Sequence, residues 1–470
     1  MSHILIRNCE VRGRTGVDVL IRGSHIADIG RALPSGRAEV VEAGGGALLP
    51  GLTDHHLHLH ALAADATSVR CGPPHVHDGA ELARALAGAP DVGGWVRGVG
   101  YIETVAGELD SAALDRLHAA RPVRIQHRSG AMWVLNGAAA SAAGLATGDH
   151  PGIERDSDGL PTGRVWRADE WLRGHLPRTA PPALRDIGRT LARFGITAVT
   201  DASPDLPAPS IRAIIGEMES GDLPQRVHLL GAPLDPPDAR EGTTRLTVGP
   251  YKIVLADSGL PDITELGEVI RHAHHTGRPV AAHCVTREAL LIFLVALDDV
   301  GVLDGDRIEH GALIPEESIE GLHRRGLRVV TQPGFLADRG DHYLDHVEER
   351  DLPDLYRCRT LLDAGVPLAL SSDAPYGPLD PWTVMSAAVH RRARSGAVVG
   401  AAERLTGSEA LSGYLASTDD PGGPPRRVEV GAVADLVLLR APLLDTLGMP
   451  SSEHVITTLI GGDPIYSITT

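Results

Sequence analysis

Lysine is almost missing from this chain of 470 residues: Lys252 is the single one among 44 basic residues, and arginine fills every other such position. Aromatic residues are scarce too, at 3% of the total, and there are only four cysteines. Cys9, Cys71, Cys284 and Cys358 are widely spaced and form no CxxC motif, so neither a disulfide framework nor a thiolate zinc site is indicated. The opening MSHILIRNCEVRGRTG carries no apolar segment ahead of a cleavage site, and no apolar run approaches the roughly 20 residues that span a bilayer. A cytoplasmic location without a membrane partner is the expectation. Acidic residues outnumber basic ones and set a net charge of −17, a repulsive field toward nucleic acid and anionic lipid. A small-molecule substrate is the expected partner, and the prevalence of symmetric dimers among enzymes makes a homodimer the expected assembly.

The isolated lysine has a chemical meaning that a composition bias does not supply. Arginine stays protonated and cannot act as a reactive amine, whereas a buried lysine can lose its proton and then react or coordinate. Lys252 is expected where only an amine serves.

Short strands punctuated by Gly and Pro occupy both ends of the chain. They are expected at Ile4 to Arg7, Val17 to Ile21, His25 to Ile29 and Glu39 to Glu42, and again at Arg427 to Val430, Leu436 to Leu439, Val455 to Leu459 and Ile465 to Ile468. Neither end buries a two-sided core alone, so 1–50 and 397–470 are expected to build one composite β-sandwich domain. Between them, eight apolar or β-branched runs each precede a helical stretch: 51–58, 196–202, 226–232, 251–257, 279–284, 307–312, 328–333 and 367–373. That succession predicts an α/β fold, a TIM-like (β/α)8 barrel over 51–396 with its active site at the C-terminal strand ends. The stretch from the first to the second strand is too long for one helix. An insertion at about 62–190 is therefore expected, with strands of its own at 95–101 and 121–127.

With 23 histidines, an HxH pair arises by chance about once, so the pattern needs context. In PGLTDHHLH, residues i and i+2 of a strand point to one side, which aims His56 and His58 together into the mouth of the barrel. His272, His274 and His275 fall in a helical stretch and read as a solvated face. His75 and His77 lie in the insertion, and His342 and His346 lack the acid of an HExxH motif. The other strand ends carry Lys252, His283, His310 and Asp373. Each alone has an ordinary explanation, a hydrogen-bonded core histidine or a helix-capping aspartate. Together they exceed what one tetrahedral zinc requires, and two divalent metal ions, zinc or a neighbour, fit better.

Paired cations about 3.5–4 Å apart need a bridging anion, and a lysine ammonium would worsen their repulsion. A neutral Lys252 amine carboxylated by CO2 becomes an anionic, bidentate carbamate. This accounts for a lysine at that one position.

With these motifs in place the chain resembles the amidohydrolase superfamily, within it the amidohydrolase-3 branch that includes N-substituted formamide deformylases. The resemblance runs through PGLTDHHLH, GITAVTDAS, YKIVLAD, VAAHCVTREAL, RIEHGA, SSDAPYGPLDPW and GAVADLVLL. It implies that His56, His58, carboxylated Lys252 and Asp373 bind one metal, and that the carbamate, His283 and His310 bind the other. It also implies hydrolysis of a C–N bond, in an amide, N-formyl or cyclic amide, by a metal-bridging hydroxide, with Asp373 as the catalytic proton shuttle. Two departures concern the substrate pocket: Ala131 stands where the branch has a His before WVxN, and the continuation ADSGLPDITEL after the lysine strand is short.

Weaker candidates for substrate contact are Arg287 and Arg339, as clamps for a carboxylate, and Trp133 and Tyr376, as an apolar wall. Alternative chemistries are hydrolysis of an ester, lactone or phosphotriester at the same site and mononuclear deamination of a heterocycle. The second normally uses HxxE on the fifth strand, where this chain has His283 followed by Cys284, Val285 and Thr286. A non-enzymatic scaffold would be expected to have lost part of the ligand set, and all six positions are filled.

Overall fold

A computed structural model describes residues 3–90, 93–176, 181–234, 245–255 and 259–468. The chain divides into two compact units, Met1–Leu59 with Ala183–Thr470, and His60–Pro182.

In the first unit both chain ends build four-stranded sheets. One has the order His25–Gly30, Arg14–Arg22, His3–Val11, Glu39–Glu42, and the other Asp463–Ser467, Val455–Ile460, Leu436–Leu439, Leu48–Pro50. Alternate residues Ile4, Ile6, Val17 and Val19 of the first sheet join Leu48, Leu436, Leu438 and Leu459 of the second in one buried cluster. Each sheet thus supplies the apolar face that the other covers. The strand expected at Arg427 to Val430 does not form. Pro424 and Pro425 precede it without N–H donors, and the Arg426 side chain turns to Leu415 O at 3.1 Å and Thr53 Oγ1 at 2.8 Å. Leu48–Pro50 instead pairs antiparallel with Leu436–Leu439.

The remaining strands of this unit are parallel. One sheet has the order Leu246–Val248, Arg226–Leu229, Ile196–Asp201, Leu52–Leu57, and the other Tyr251–Val254, Val280–Cys284, Arg307–His310, Arg328–Thr331, Leu368–Leu370. At one edge Lys252 N–H donates to Leu230 O (3.2 Å); at another Asp373 N–H donates to His56 O (2.8 Å) and His58 N–H to Ala374 O (2.9 Å). Every residue of Leu52–Leu57, Ile196–Asp201 and Arg307–His310 is buried, as parallel strands covered on both faces require. A strand begins in each of the eight expected runs. The fourth departs in form: Leu246–Val248 already pairs with Arg226–Leu229, and the chain breaks at Gly249-Pro250 before Tyr251–Val254. Pro250 cannot donate to a ladder, and a Cβ on Gly249 would stand 2.1 Å from the His228 ring. Residues 256 and 257 of that expected run lie outside the described residues.

Helices follow the strands, and two of them begin at side-chain caps. Asp262 accepts from Thr264 N–H ahead of Ile263–His275, and Thr286 accepts from Ala289 N–H ahead of Arg287–Val300.

The second unit holds a six-stranded sheet in the order Ile153–Arg155, Pro161–Trp166, Met132–Leu135, Val123–His127, Val96–Tyr101, Val69–Arg70. Two apolar clusters pack in this unit, one around Leu82, Leu114 and Ile125, the other around Leu135, Leu145 and Val165. Among the described residues no helix is long and apolar enough to cross a membrane.

Candidate metal centre

Side chains from several strand ends meet over a short distance. His56 Nε2 is 3.4 Å and His58 Nε2 3.1 Å from Asp373 Oδ1, while His310 Nδ1 is 3.9 Å from Asp373 Oδ2. One ligand atom from each of His56, His58 and Asp373 lies within 4.8 Å of the others. The His310 ring centroid is 4.7 Å from that of His56 and 4.4 Å from that of His283. Lys252 comes from the strand beside Val280–Cys284, and its charge acts on the rings of both His56 and His310. The structure therefore brings all six sequence-derived ligand candidates into one neighbourhood.

Two of these residues hold unusual backbone conformations. His310 has φ 72° and Asp373 φ 53°, left-handed values that side chains other than glycine rarely take. Both fall where a strand ends, and the turn redirects the side chain at that point. Such strain persists only where surrounding contacts over-determine it, and it clusters at functional sites.

The site is buried beneath and more open above. His56, Lys252, His310 and Asp373 are buried, whereas His58 and His283 are half-buried. Burial pushes His56 and His310 well below the ordinary histidine range, reinforced by Lys252 and by neighbouring histidines. Burial likewise pushes the Lys252 amine below the lysine range, opposed by the charges of Glu309 and Asp373. Both imidazoles are thus held neutral, as metal ligation requires. His56 Nε2 and Lys252 Nζ are buried without a hydrogen-bond partner among the described residues. A bound ion or water at these atoms would satisfy them. Neutral imidazole nitrogens, a carboxylate and an amine form a donor set that suits divalent zinc-like ions.

Several supporting residues escaped the sequence reading. Glu309 is fully buried, accepts from His56 Nδ1 and from Arg307 Nε (2.6 Å), and so leaves His56 Nε2 as the ring nitrogen turned toward Asp373. His310 Nδ1 donates to Gln332 Oε1 at 2.8 Å, and Gln332 Nε2 in turn donates to Ser371 Oγ at 2.9 Å. His58 Nδ1 pairs with Ser203 Oγ at 3.2 Å. A signal for Glu309 was present: an acid inside the apolar strand RIEH needs a buried partner.

The four candidate substrate contacts fare differently. Arg287 is engaged by Asp354 and, at 2.7 Å, by Asp351. Arg339 donates to Tyr376 O at 3.0 Å and lies 4.4 Å over the Phe335 ring. Both guanidinium groups make internal contacts through Nη2. Trp133 is a core residue of the second unit, 5% exposed, with Arg97 and Arg124 at 5.2 and 5.1 Å from its ring. Its large apolar surface is taken up by packing in that unit. Tyr376 stands half-buried beside the cluster, its ring 5.6 Å from that of His58.

The model of the amidohydrolase family matches residues 39–466. An N-substituted formamide deformylase from Arthrobacter pascens is 25% identical, over 97% of this chain and 96% of that protein. Bacillus subtilis YtcJ is 26% identical over 76% of each. Two solved structures share the fold: an uncharacterised metal-dependent hydrolase from Pyrococcus horikoshii (TM-score 0.78, 21% identity, 97% of this chain and 100% of that one) and zinc-complexed atrazine chlorohydrolase TrzN from Arthrobacter aurescens (TM-score 0.57, 16% identity, 99% and 95%). With nearly its whole length matched, this chain belongs to the amidohydrolase family, in the amidohydrolase-3 branch.

Proposed function

We propose that this protein is a binuclear metal-dependent hydrolase that cleaves a C–N bond in an amide, N-formyl or cyclic amide substrate. The reading takes the parallel strands as one closed (β/α)8 barrel carrying the site at its C-terminal strand ends, with the terminal sheets as a β-sandwich domain. The observation that carries it is the convergence of His56, His58 and Asp373 within 4.8 Å, beside a buried Lys252 amine that has no hydrogen-bond partner among the described residues.

His56, His58, Lys252 and Asp373 would hold one divalent cation, and Lys252, His283 and His310 the other, with Lys252 shared as a CO2-derived carbamate. When bound, zinc-like ions supply Lewis acidity toward the substrate carbonyl and make water nucleophilic near neutral pH. The chain's own residues do the rest. Glu309 keeps the proton of His56 on Nδ1, so that Nε2 faces the site. An Asp373 carboxylate oxygen takes the proton from the attacking water and delivers it to the leaving nitrogen. Water adds to the carbonyl carbon, the C–N bond breaks, and a carboxylic acid and an amine result. Mononuclear deamination is disfavoured because Thr286, at the position of the HxxE acid, caps a helix through its side chain.

The named activity of the Arthrobacter pascens relative supports the bond class. The test is metal analysis of the purified protein and of Lys252→Arg after reconstitution with Zn2+ with and without bicarbonate, followed by a panel of amides, esters, lactones and phosphotriesters. Wild type should take up two metals per chain only with bicarbonate. The variant should lose at least one metal and most amide turnover. Full metal loading and unchanged turnover in Lys252→Arg would refute the carbamate.

A further inference from the structure

A cavity of about 410 Å3 lies at the end of the parallel strands opposite to the metal-ligand candidates. Thr53, Ala198 and Arg226 line it from the N-terminal parts of Leu52–Leu57, Ile196–Asp201 and Arg226–Leu229, whereas His56 and His58 stand at the other end of the first of these strands. Ser417, Thr418 and Arg426 line it from the segment that leads into the terminal sheet, and Val433 from the turn ahead of Leu436–Leu439. Its volume falls in the range of about 300–1,000 Å3 that small-molecule sites occupy.

The charges around it do not balance. Three guanidinium groups, of Arg226, Arg426 and Arg427, line the cavity against two carboxylates, of Asp435 and Glu429, which leaves one positive charge in excess on a chain whose net charge is −17. Asp435 is already committed: one oxygen pairs with Arg226 Nε at 2.6 Å and the other accepts from Gly461 N–H at 2.7 Å. Arg426 donates only to neutral oxygens, those of Leu415, Gly51 and the Thr53 hydroxyl, and pairs with no carboxylate among the described residues. Burial pushes its guanidinium down to about 10, opposed by Asp435 and reinforced by Arg226. A cation withdrawn from bulk water without a counter-charge is costly, and an oxyanion beside it offsets that cost. Donors for one are unspent. Arg226 Nη1 and Nη2, Arg426 Nη1 and the Ser417 and Thr418 hydroxyls have no hydrogen-bond partner among the described residues.

We infer that this cavity binds a small organic anion, its carboxylate or phosphate head held by Arg226 and Arg426 and its uncharged body set against Pro50, Ala432 and Val433. Guanidinium forks suit both heads, because each offers two oxygens at the spacing of two N–H donors. The site is separate from the metal-ligand cluster and does not depend on the hydrolase reading.

Three bromine-bearing probes of similar shape test it: para-bromobenzoate, para-bromophenyl phosphate and the neutral para-bromobenzyl alcohol. Calorimetric titration of the metal-loaded full chain at fixed ionic strength should show one anion binding at least about tenfold more tightly than the alcohol. Anomalous scattering from soaked crystals should place the bromine of that anion in the cavity, and the tighter head tells a carboxylate ligand from a phosphate. Arg426→Gln should weaken that anion by about tenfold and Arg226→Gln, which keeps a donor for Asp435, by about fivefold, with the alcohol unaffected. Bromine at the metal-ligand cluster alone overturns the inference, as does an alcohol bound as tightly as both anions; both are read on the wild-type protein. Wild-type anion affinity in a folded Arg226→Gln protein overturns it as well.

Discussion

His56 and His342 each have a second histidine close by in sequence, and their fates are opposite. His56 sits on a buried strand, gives its Nδ1 proton to Glu309, and turns Nε2 toward Asp373 Oδ1 at 3.4 Å. His342 sits on the helix Gly334–His346, exposed, its ring stacked 4.1 Å from that of His346, which donates to the His342 carbonyl. The His272, His274 and His275 run closes the helix Ile263–His275, where His274 pairs with Asp306 at 3.0 Å and His275 donates to Arg271 O. A metal site therefore depends less on two nearby imidazoles than on strands that bring further donors from distant parts of the chain.

The sharpest way to break this contrast is at Asp373, where donors from separate strands meet. Asp373→Asn should lower kcat by roughly a thousandfold, within the usual range for losing a general acid–base group. Steady-state kinetics with parallel metal analysis decides the point, and near-wild-type kcat at full metal loading would remove Asp373 from the proton path. Glu309→Gln comes next. It keeps the shape but loses the charge that fixes the His56 tautomer, so metal affinity should fall by about 10- to 100-fold, read by titration with Co2+ and its visible spectrum. Unaltered Co2+ affinity would make Glu309 a packing residue only.

A smaller effect concerns His228, which takes no part in the ligand cluster. Burial pushes its imidazole down to about 3, with Arg307 adding to the effect. Its folded pKa thus lies below the value of about 6.5 expected for the unfolded chain. The unfolded state takes up the proton first, so its contribution to stability is complete above about pH 6.5 and is lost as pH falls toward 3. Urea midpoints for His228→Gln should decline less steeply than wild type from pH 7 to pH 4, and parallel declines would contradict the assignment. The least effect belongs to the helical pair. His342→Ala with His346→Ala should leave metal content unchanged and alter stability by about 0.5 kcal/mol or less, as exposed substitutions do. Loss of a metal in that double variant would erase the contrast.

Much of this was legible in one dimension. Strand periodicity located the eight parallel runs, and the spacing of His56 and His58 on a strand gave them a common direction. Lys252 stood out because an arginine-rich chain kept one amine. Other features were not legible, because they depend on contacts through space. Nothing local distinguishes Arg287 as a substrate clamp from Arg287 as the partner of Asp351 and Asp354, and the break at Gly249-Pro250 reflects the approach of the His228 ring. Trp133 read equally well as a pocket wall or a core residue until its position in the second unit put it in the core.

By itself the sequence determined which chemical groups stand at which strand ends, since alternation along a strand and the difference between an amine and a guanidinium are local properties. Tertiary structure decided which of those groups meet. The left-handed turns at His310 and Asp373, the buried Glu309 behind His56 and the clustering of scarce aromatic rings all come from strands and loops far apart in the chain. Their energies arise from burial and from contacts that exist only once the chain has folded.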